Sequence, residues 1–156
     1  MSLESVKSYF KKWNMEDRIQ EFPMSSATVE EAAVAIHCQE KEIAKTMSFK
    51  IADKAMLIVM AGDAKIDNSK FKAQYHTKAV MLKGDEVEQL TGHPAGGVCP
   101  FGLSNDIEVY LDNSLKRFEK VYPACGSRNS AIGLTLKELE KYSNCQEWVD
   151  VCKGWE

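Results

Sequence analysis

No apolar run in this chain approaches the ~20 residues needed to cross a bilayer, so no membrane span is expected. The N-terminus, with Glu4 and Lys7 among alternating polar residues, lacks the apolar core of a signal peptide. Five cysteines (Cys38, Cys99, Cys125, Cys145, Cys152) include no C-x-x-C pair. Zinc sites draw on closely paired Cys and His ligands, so no metal is expected. An odd, widely spaced set also speaks against a disulfide framework, and reduced thiols in a cytoplasm fit better. There is no P-loop, no Ser/His/Asp order and no metal-ligand motif. Nothing calls for a cofactor. Internal repeats, low-complexity tracts and linkers are absent too, and a length of 156 residues reads as one domain, 1–156. Such a chain hides roughly 70% of its unfolded surface.

The net charge of −3 argues against a general nucleic-acid coat, but the charge is unevenly spread. Residues 1–40 carry 4 basic and 7 acidic side chains, residues 41–83 carry 9 and 4, and residues 84–156 carry 7 and 12. The middle segment, net +5, holds Lys45, Lys50, Lys54, Lys65, Lys70, Lys72, Lys78 and Lys83. A basic face can meet a phosphate backbone even on an acidic protein. Most of these lysines also read as ordinary solvated charges.

Against this background one stretch stands out. Thr91 to Gly102, T-G-H-P-A-G-G-V-C-P-F-G, packs four glycines and two prolines into twelve residues. Glycine serves where the chain needs positive φ or close approach, and proline fixes φ. With His93, Val98, Cys99 and Phe101 as anchors, this is a shaped loop rather than a Gly/Ser linker. Its N–H groups could hold a carbonyl, a carboxylate or a phosphate. A tight structural turn reads equally well.

Hydrophobic periodicity supplies the rest. Leu3, Val6, Phe10 and Trp13 recur at helical steps. Thr28-Val29-Glu30-Glu31 and Thr135-Leu136-Lys137-Glu138 are capping boxes that open helices. Ala44–Ile51 and Lys54–Ala61 read as strands joined by a turn at Ala52-Asp53. The second is apolar throughout, as for a strand covered on both faces. Asp67 or Asn68 caps a helix to about His76, and Gly84–Leu90 is a short helix with an acidic first turn. Short strands are expected at Ile19–Phe22, Ala79–Leu82, Ile107–Leu111, Lys120–Tyr122 and Ala131-Ile132. Asp112 caps a helix through Leu115 and Phe118, and Cys145–Val151 closes as a strand or short helix. Strands and helices mix without regular βαβ alternation. This implies an α+β fold, with a mixed, mostly antiparallel curved sheet and helices outside it.

Two of these stretches together carry a resemblance. A-K-T-M at Ala44–Met47 and G-G-V-C-P-F-G at Gly96–Gly102 resemble the YbaK family and the related editing domain inserted in bacterial prolyl-tRNA synthetases. Lys45 matches the family's strand lysine, Gly96 to Pro100 matches its G-x-x-x-P loop, and Ala124-Cys125-Gly126-Ser127 looks like its third, glycine-containing turn. The resemblance implies a barrel-like sheet flanked by helices. It also implies hydrolysis of the ester of a mischarged tRNA, tRNA-Pro first, bearing alanine, cysteine, serine or threonine. Prolyl-tRNA synthetase is a partner to consider. Lys45 and Gly96 would be catalytic. Lys45 would hold the terminal adenosine or its phosphate, with Lys50 on the opposite face of the strand. The loop would meet the ester carbonyl in the manner of an oxyanion hole. Thr46, His93, Gly97, Val98, Pro100, Cys125, Gly126 and Ser127 would bind substrate. In the family the terminal ribose hydroxyl assists the attacking water.

Some residues admit other readings. His93 suits a general base or a wall of the pocket. Cys99 reads as packing, whereas Cys125 could act as a nucleophile. His93-Pro94 and the Ala-Cys-Gly-Ser turn depart from the family's usual residues, which leaves the amino acid removed open. The contrasting reading of the whole chain is a non-catalytic module that binds tRNA or a nucleotide beside a synthetase.

Overall fold

The computed structural model describes residues 2–103 and 106–155. In chain order its elements are α1 (Ser2–Lys11), β1 (Gln20–Glu21), α2 (Val29–Ile36), β2 (Ile43–Ile51), β3 (Lys54–Ala61), β4 (Lys65–Ile66), α3 (Asn68–Tyr75) and α4 (Gly84–Thr91). Then come β5 (Glu108–Asp112), β6 (Lys120–Pro123), β7 (Ser130–Ala131), β8 (Leu134–Thr135), α5 (Leu136–Ser143), β9 (Trp148–Val149) and β10 (Cys152–Lys153). Short 3-10 turns cover Glu16–Arg18, Glu40–Glu42 and Asn113–Arg117.

The fold is α+β. Its main sheet runs β8-β6-β2-β3-β5-β9 and curls into a half-barrel. β2 and β3 form an antiparallel hairpin from Ala44↔Ala61 to Ile51↔Lys54. Around it, β6 joins β2, β5 joins β3 and β9 joins β5 in parallel, while β8 joins β6 antiparallel. Two antiparallel ribbons, β1–β7 and β4–β10, complete the set.

The unbroken apolar run of β3 is explained by its place: Met56 to Ala61 are all buried. α1 lays Val6 and Phe10 onto the core, where Phe10 stacks edge-on against Phe101 and Tyr142. Both capping boxes form as expected, at Thr28 for α2 and at Thr135 for α5. Asp112 is fully buried, and its carboxylate accepts from Ser114 N at 2.9 Å and Val151 N at 2.9 Å, pinning the C-terminal segment to β5. No helix among the described residues is long and apolar enough to cross a membrane.

Two elements differ from expectation. Ala79–Leu82 is not a strand; only Met81 bridges to Phe49, where Lys50 N donates to Val80 O and Leu82 N to Ser48 O, and the pairing goes no further along β2. The helix expected after Asp112 is the 3-10 turn Asn113–Arg117, closed by Phe118 N donating to Leu115 O at 3.2 Å.

Candidate functional site

Between β2, the start of α2, the segment before α4 and the glycine-rich loop lies a cavity of about 430 Å³. β2 supplies one wall, Ala44 to Ser48. Ser26 to Val29 close a second side, and Ala95, Gly96 and Val98 a third. Tyr122, Ala124, Ser130 and Ala131 complete it.

Lys45 stands opposite Met60 in the hairpin and is half-buried. Its Nζ lies 3.4 Å from the Gly62 carbonyl oxygen, which accepts from it. Burial holds its pKa below the usual lysine value, opposed by the Cys152 and Asp63 side chains nearby. No carboxylate forms an ion pair with it among the described residues, so its charge is open to an incoming anion. Gly62 has no room for a side chain: a Cβ would stand 2.0 Å from the Glu40 carbonyl oxygen and 2.8 Å from Val29 Cγ1. The Glu40 backbone and the Val29 side chain of α2 thus close on the residue whose carbonyl accepts from Lys45. Lys50, exposed, instead pairs with Glu86 at 3.7 Å.

The glycine loop begins where α4 ends. Gly92 takes φ +82° as the helix cap, and Thr91 Oγ1 donates to Val87 O at 2.6 Å while accepting from His93 N at 3.1 Å. Gly96 takes φ +88°, a conformation that disfavours side chains, and lines the cavity. Gly97 N–H is committed to Pro94 O at 2.9 Å. Arg128 Nε donates to Ala95 O at 3.0 Å, clamping the loop from outside. Gly97 packs on the third turn so tightly that a Cβ would lie 2.8 Å from Ser127 N and 2.9 Å from Gly126 C. Fold thus brings the two glycine turns into contact.

The residues singled out from sequence divide into two layers. Lys45, Thr46, Gly96 and Val98 line the cavity. His93, Gly97, Pro100, Cys125 and Gly126 are buried outside its lining, and Ser127 is half-buried with its hydroxyl on Ser130 Oγ at 2.6 Å and Asn129 Oδ1 at 3.0 Å. His93 is fully buried; its Nε2 lies 2.6 Å from Phe101 O, fixing the tautomer as the Nε2–H donor, and Nδ1 has no partner. Burial lowers its pKa, favouring the neutral ring. Burial also pushes the Cys99 thiol up to about 12 and the Cys125 thiol well above its usual value. Neither sulfur is a ready thiolate.

Sequence reasoning did not anticipate Ser26, Thr28, Ser48, Tyr122 and Ser130 in the lining. For Thr28 the signal was present as a capping box, but a cap announces a helix start and not what that start faces. The described lining holds no His, Cys, Asp or Glu; its titratable side chains are Lys45 and Tyr122. The described lining thus offers one ammonium and several hydroxyl groups, and no histidine, thiol or carboxylate to act as a base.

The strand lysine and the glycine loop that line the chamber lie within residues 24–142, which match the model of the aminoacyl-tRNA editing domain. The chain belongs to the aminoacyl-tRNA editing domain family. Every lining residue of the cavity falls within that span. The editing domain is 57% identical to the uncharacterized protein YwhH of Bacillus subtilis, with all of both chains covered. It is 24% identical to a proline–tRNA ligase of Bacillus cytotoxicus over 79% of this chain, a match that spans 22% of that enzyme. A crystal structure provisionally described as a trans-editing enzyme for prolyl-tRNA synthetase superposes with TM-score 0.88 at 27% identity, covering 98% of each chain.

Proposed function

We propose that this editing domain is a free-standing deacylase that hydrolyses the ester of a mischarged tRNA in the cytoplasm, with tRNA-Pro carrying alanine, cysteine, serine or threonine as substrate. The observation that carries the reading is the 430 Å³ chamber whose lining joins Lys45, without a carboxylate partner among the described residues, to Gly96 and Val98 of the glycine loop. The kinship with proline–tRNA ligases supports tRNA-Pro and association with prolyl-tRNA synthetase. Such proofreading answers a general need, because a synthetase pocket discriminates poorly between small amino acids by binding alone.

In this reading Lys45 takes the phosphate of the terminal nucleotide. Water adds to the ester carbonyl, the bond to the ribose oxygen breaks, and the ribose oxygen leaves with a proton. The described lining holds no imidazole, thiol or carboxylate, which accords with the substrate-assisted chemistry that the family resemblance implies, the neighbouring ribose hydroxyl assisting the attacking water. His93 and Cys125 support the loops from behind.

The test is hydrolysis of tRNA-Pro charged separately with alanine, cysteine, serine, threonine and proline, by wild type and Lys45→Ala. Cleavage of a mischarged species and sparing of prolyl-tRNA are expected, with a loss of about 10²-fold in Lys45→Ala, the scale on which a single charge-stabilising donor acts. If wild type cleaves none of them yet binds tRNA at low salt, the domain is a binding module.

A further inference from the structure

The β2–β3 hairpin closes on the two-residue turn Ala52-Asp53, with Ile51 opposite Lys54. In an antiparallel ladder, residues alternate between pairs that exchange both main-chain bonds and pairs that exchange none. The parity of β2 is settled at its far end: Lys50 N donates to Val80 O at 2.8 Å and Leu82 N donates to Ser48 O at 3.2 Å. Even-numbered residues of β2 therefore turn N–H and C=O away from β3. Thr46, opposite Val59, is one of them.

On that outer edge the ladder is interrupted. β6 pairs only with Ile43 and Ala44, and its continuation at Ala124 turns to bridge Ala131. The segment before α4 joins only from Ser48 onward. Thr46 N–H and C=O consequently face the gap, where Thr46, Leu82, Ala124 and Ala131 all line the cavity. Thr46 Oγ1 is itself buried without a hydrogen-bond partner. Thr46 is half-buried and lines the cavity, so its outward main-chain N–H and C=O offer a bound ligand's acceptor and donor a place to pair.

We propose that the cavity reads the amino acid as a strand one residue long, added antiparallel to β2 at Thr46. The inference rests on the deacylase reading and assigns the aminoacyl group its contacts. An α-aminoacyl ester carries an ammonium donor and a carbonyl acceptor on either side of one Cα, as a residue in a strand does. Its ammonium donates to Thr46 C=O and its ester carbonyl accepts from Thr46 N–H. This is β-augmentation reduced to a single residue. The antiparallel direction sends the ester and ribose toward Lys45, where the ammonium meets the phosphate; a parallel addition would send them toward Ser48. Directly opposed residues in a sheet point their side chains to the same face, roughly 4.5–5.5 Å apart at Cβ. The substrate side chain therefore lies beside Thr46 Oγ1.

The experiment uses ¹⁵N-labelled protein and 3′-deoxy-3′-(L-alanylamino)adenosine, whose amide resists hydrolysis, against the propionylamino analogue that lacks the ammonium. On binding the alanyl compound, the Thr46 amide proton is expected to shift downfield and to exchange more slowly with solvent. The propionyl compound is expected to bind about tenfold more weakly, the effect of losing one charge-assisted hydrogen bond. Thr46→Val, which keeps the main chain, retains the amide response. An unchanged Thr46 amide, or equal binding of the two compounds, overturns the slot. The two readings separate cleanly: a protein that shows the Thr46 response but cleaves no charged tRNA keeps the slot and loses the deacylase. One that cleaves without the response does the reverse.

Discussion

At Gly97 a hydrogen atom stands where any other residue would place a methyl or larger group against the backbone of Gly126 and Ser127. Backbone cannot rotate aside as a flexible side chain can, so the obstacle is steric rather than conformational. Gly97→Ala is expected to part the two turns, cost about 1–3 kcal/mol as overpacking does, and reduce deacylation through the displaced Gly96. Thermal melts alongside kcat/KM check it; an unaltered melting temperature would contradict it. His93 yields a pH prediction. Its folded pKa lies below the ordinary histidine value of about 6.5, because burial penalises the charged ring. Its contribution to stability is full above the unfolded value and declines as pH falls below it. The melting temperature should drop between pH 7.5 and 5.5, and His93→Gln should flatten that slope.

Among elements, α2 and α5 provide a matched pair. Each begins with a capping box: Glu31 N donates to Thr28 Oγ1 at 3.1 Å, and Glu138 N donates to Thr135 Oγ1 at 3.2 Å. Thr→Ala at either cap is expected to cost about 1 kcal/mol. Only the first cap stands at the cavity, with Val29 pressed on Gly62 beside the Lys45 ammonium. Thr28→Ala should therefore raise KM for mischarged tRNA, while Thr135→Ala loses comparable stability with unchanged kinetics. Equal kinetic effects in both variants would mean that helix fraying, and not the cavity wall, is being measured.

The whole molecule is tied across its length by Arg18 and Glu138. Nη1 donates to Oε2 at 2.7 Å, Nη2 to Oε1 at 3.2 Å, and Nη2 also to Gly133 O at 2.7 Å. This fork holds the Glu138 carboxyl at about 2. The pair's stabilisation is present above the unfolded carboxyl value of about 4.3 and is lost as pH falls through that window toward 2. Because the pair is partly exposed, its worth is at most about 1 kcal/mol. Melting curves of wild type and Glu138→Gln should differ at pH 6 and converge near pH 2. The basic segment is tempered on the same scale: Lys50 and Lys70 engage Glu86 and Asp150, so its formal excess overstates the charge offered to a phosphate backbone.

Local features are legible in the chain itself. The capping boxes, the Ala52-Asp53 turn and the positive φ of Gly96 each follow from interactions within a few residues, whereas the need for glycine at 97 is set by the third turn packed against it. A resemblance in motif and order, not local interaction, associates Lys45 with the glycine loop, and Lys45, Gly96 and Val98 all line the chamber. Tertiary structure alone decides which side of each motif meets the chamber. The sequence does not say that β6 leaves β2 after Ala44, since that depends on where a strand eighty residues away turns off. It does not say that His93 and Cys125 lie behind the loops, since burial is set by what packs over them. Nor does it reveal Thr46 as the open rung of the ladder, because hydrogen-bond parity belongs to the register between strands and not to any residue within one.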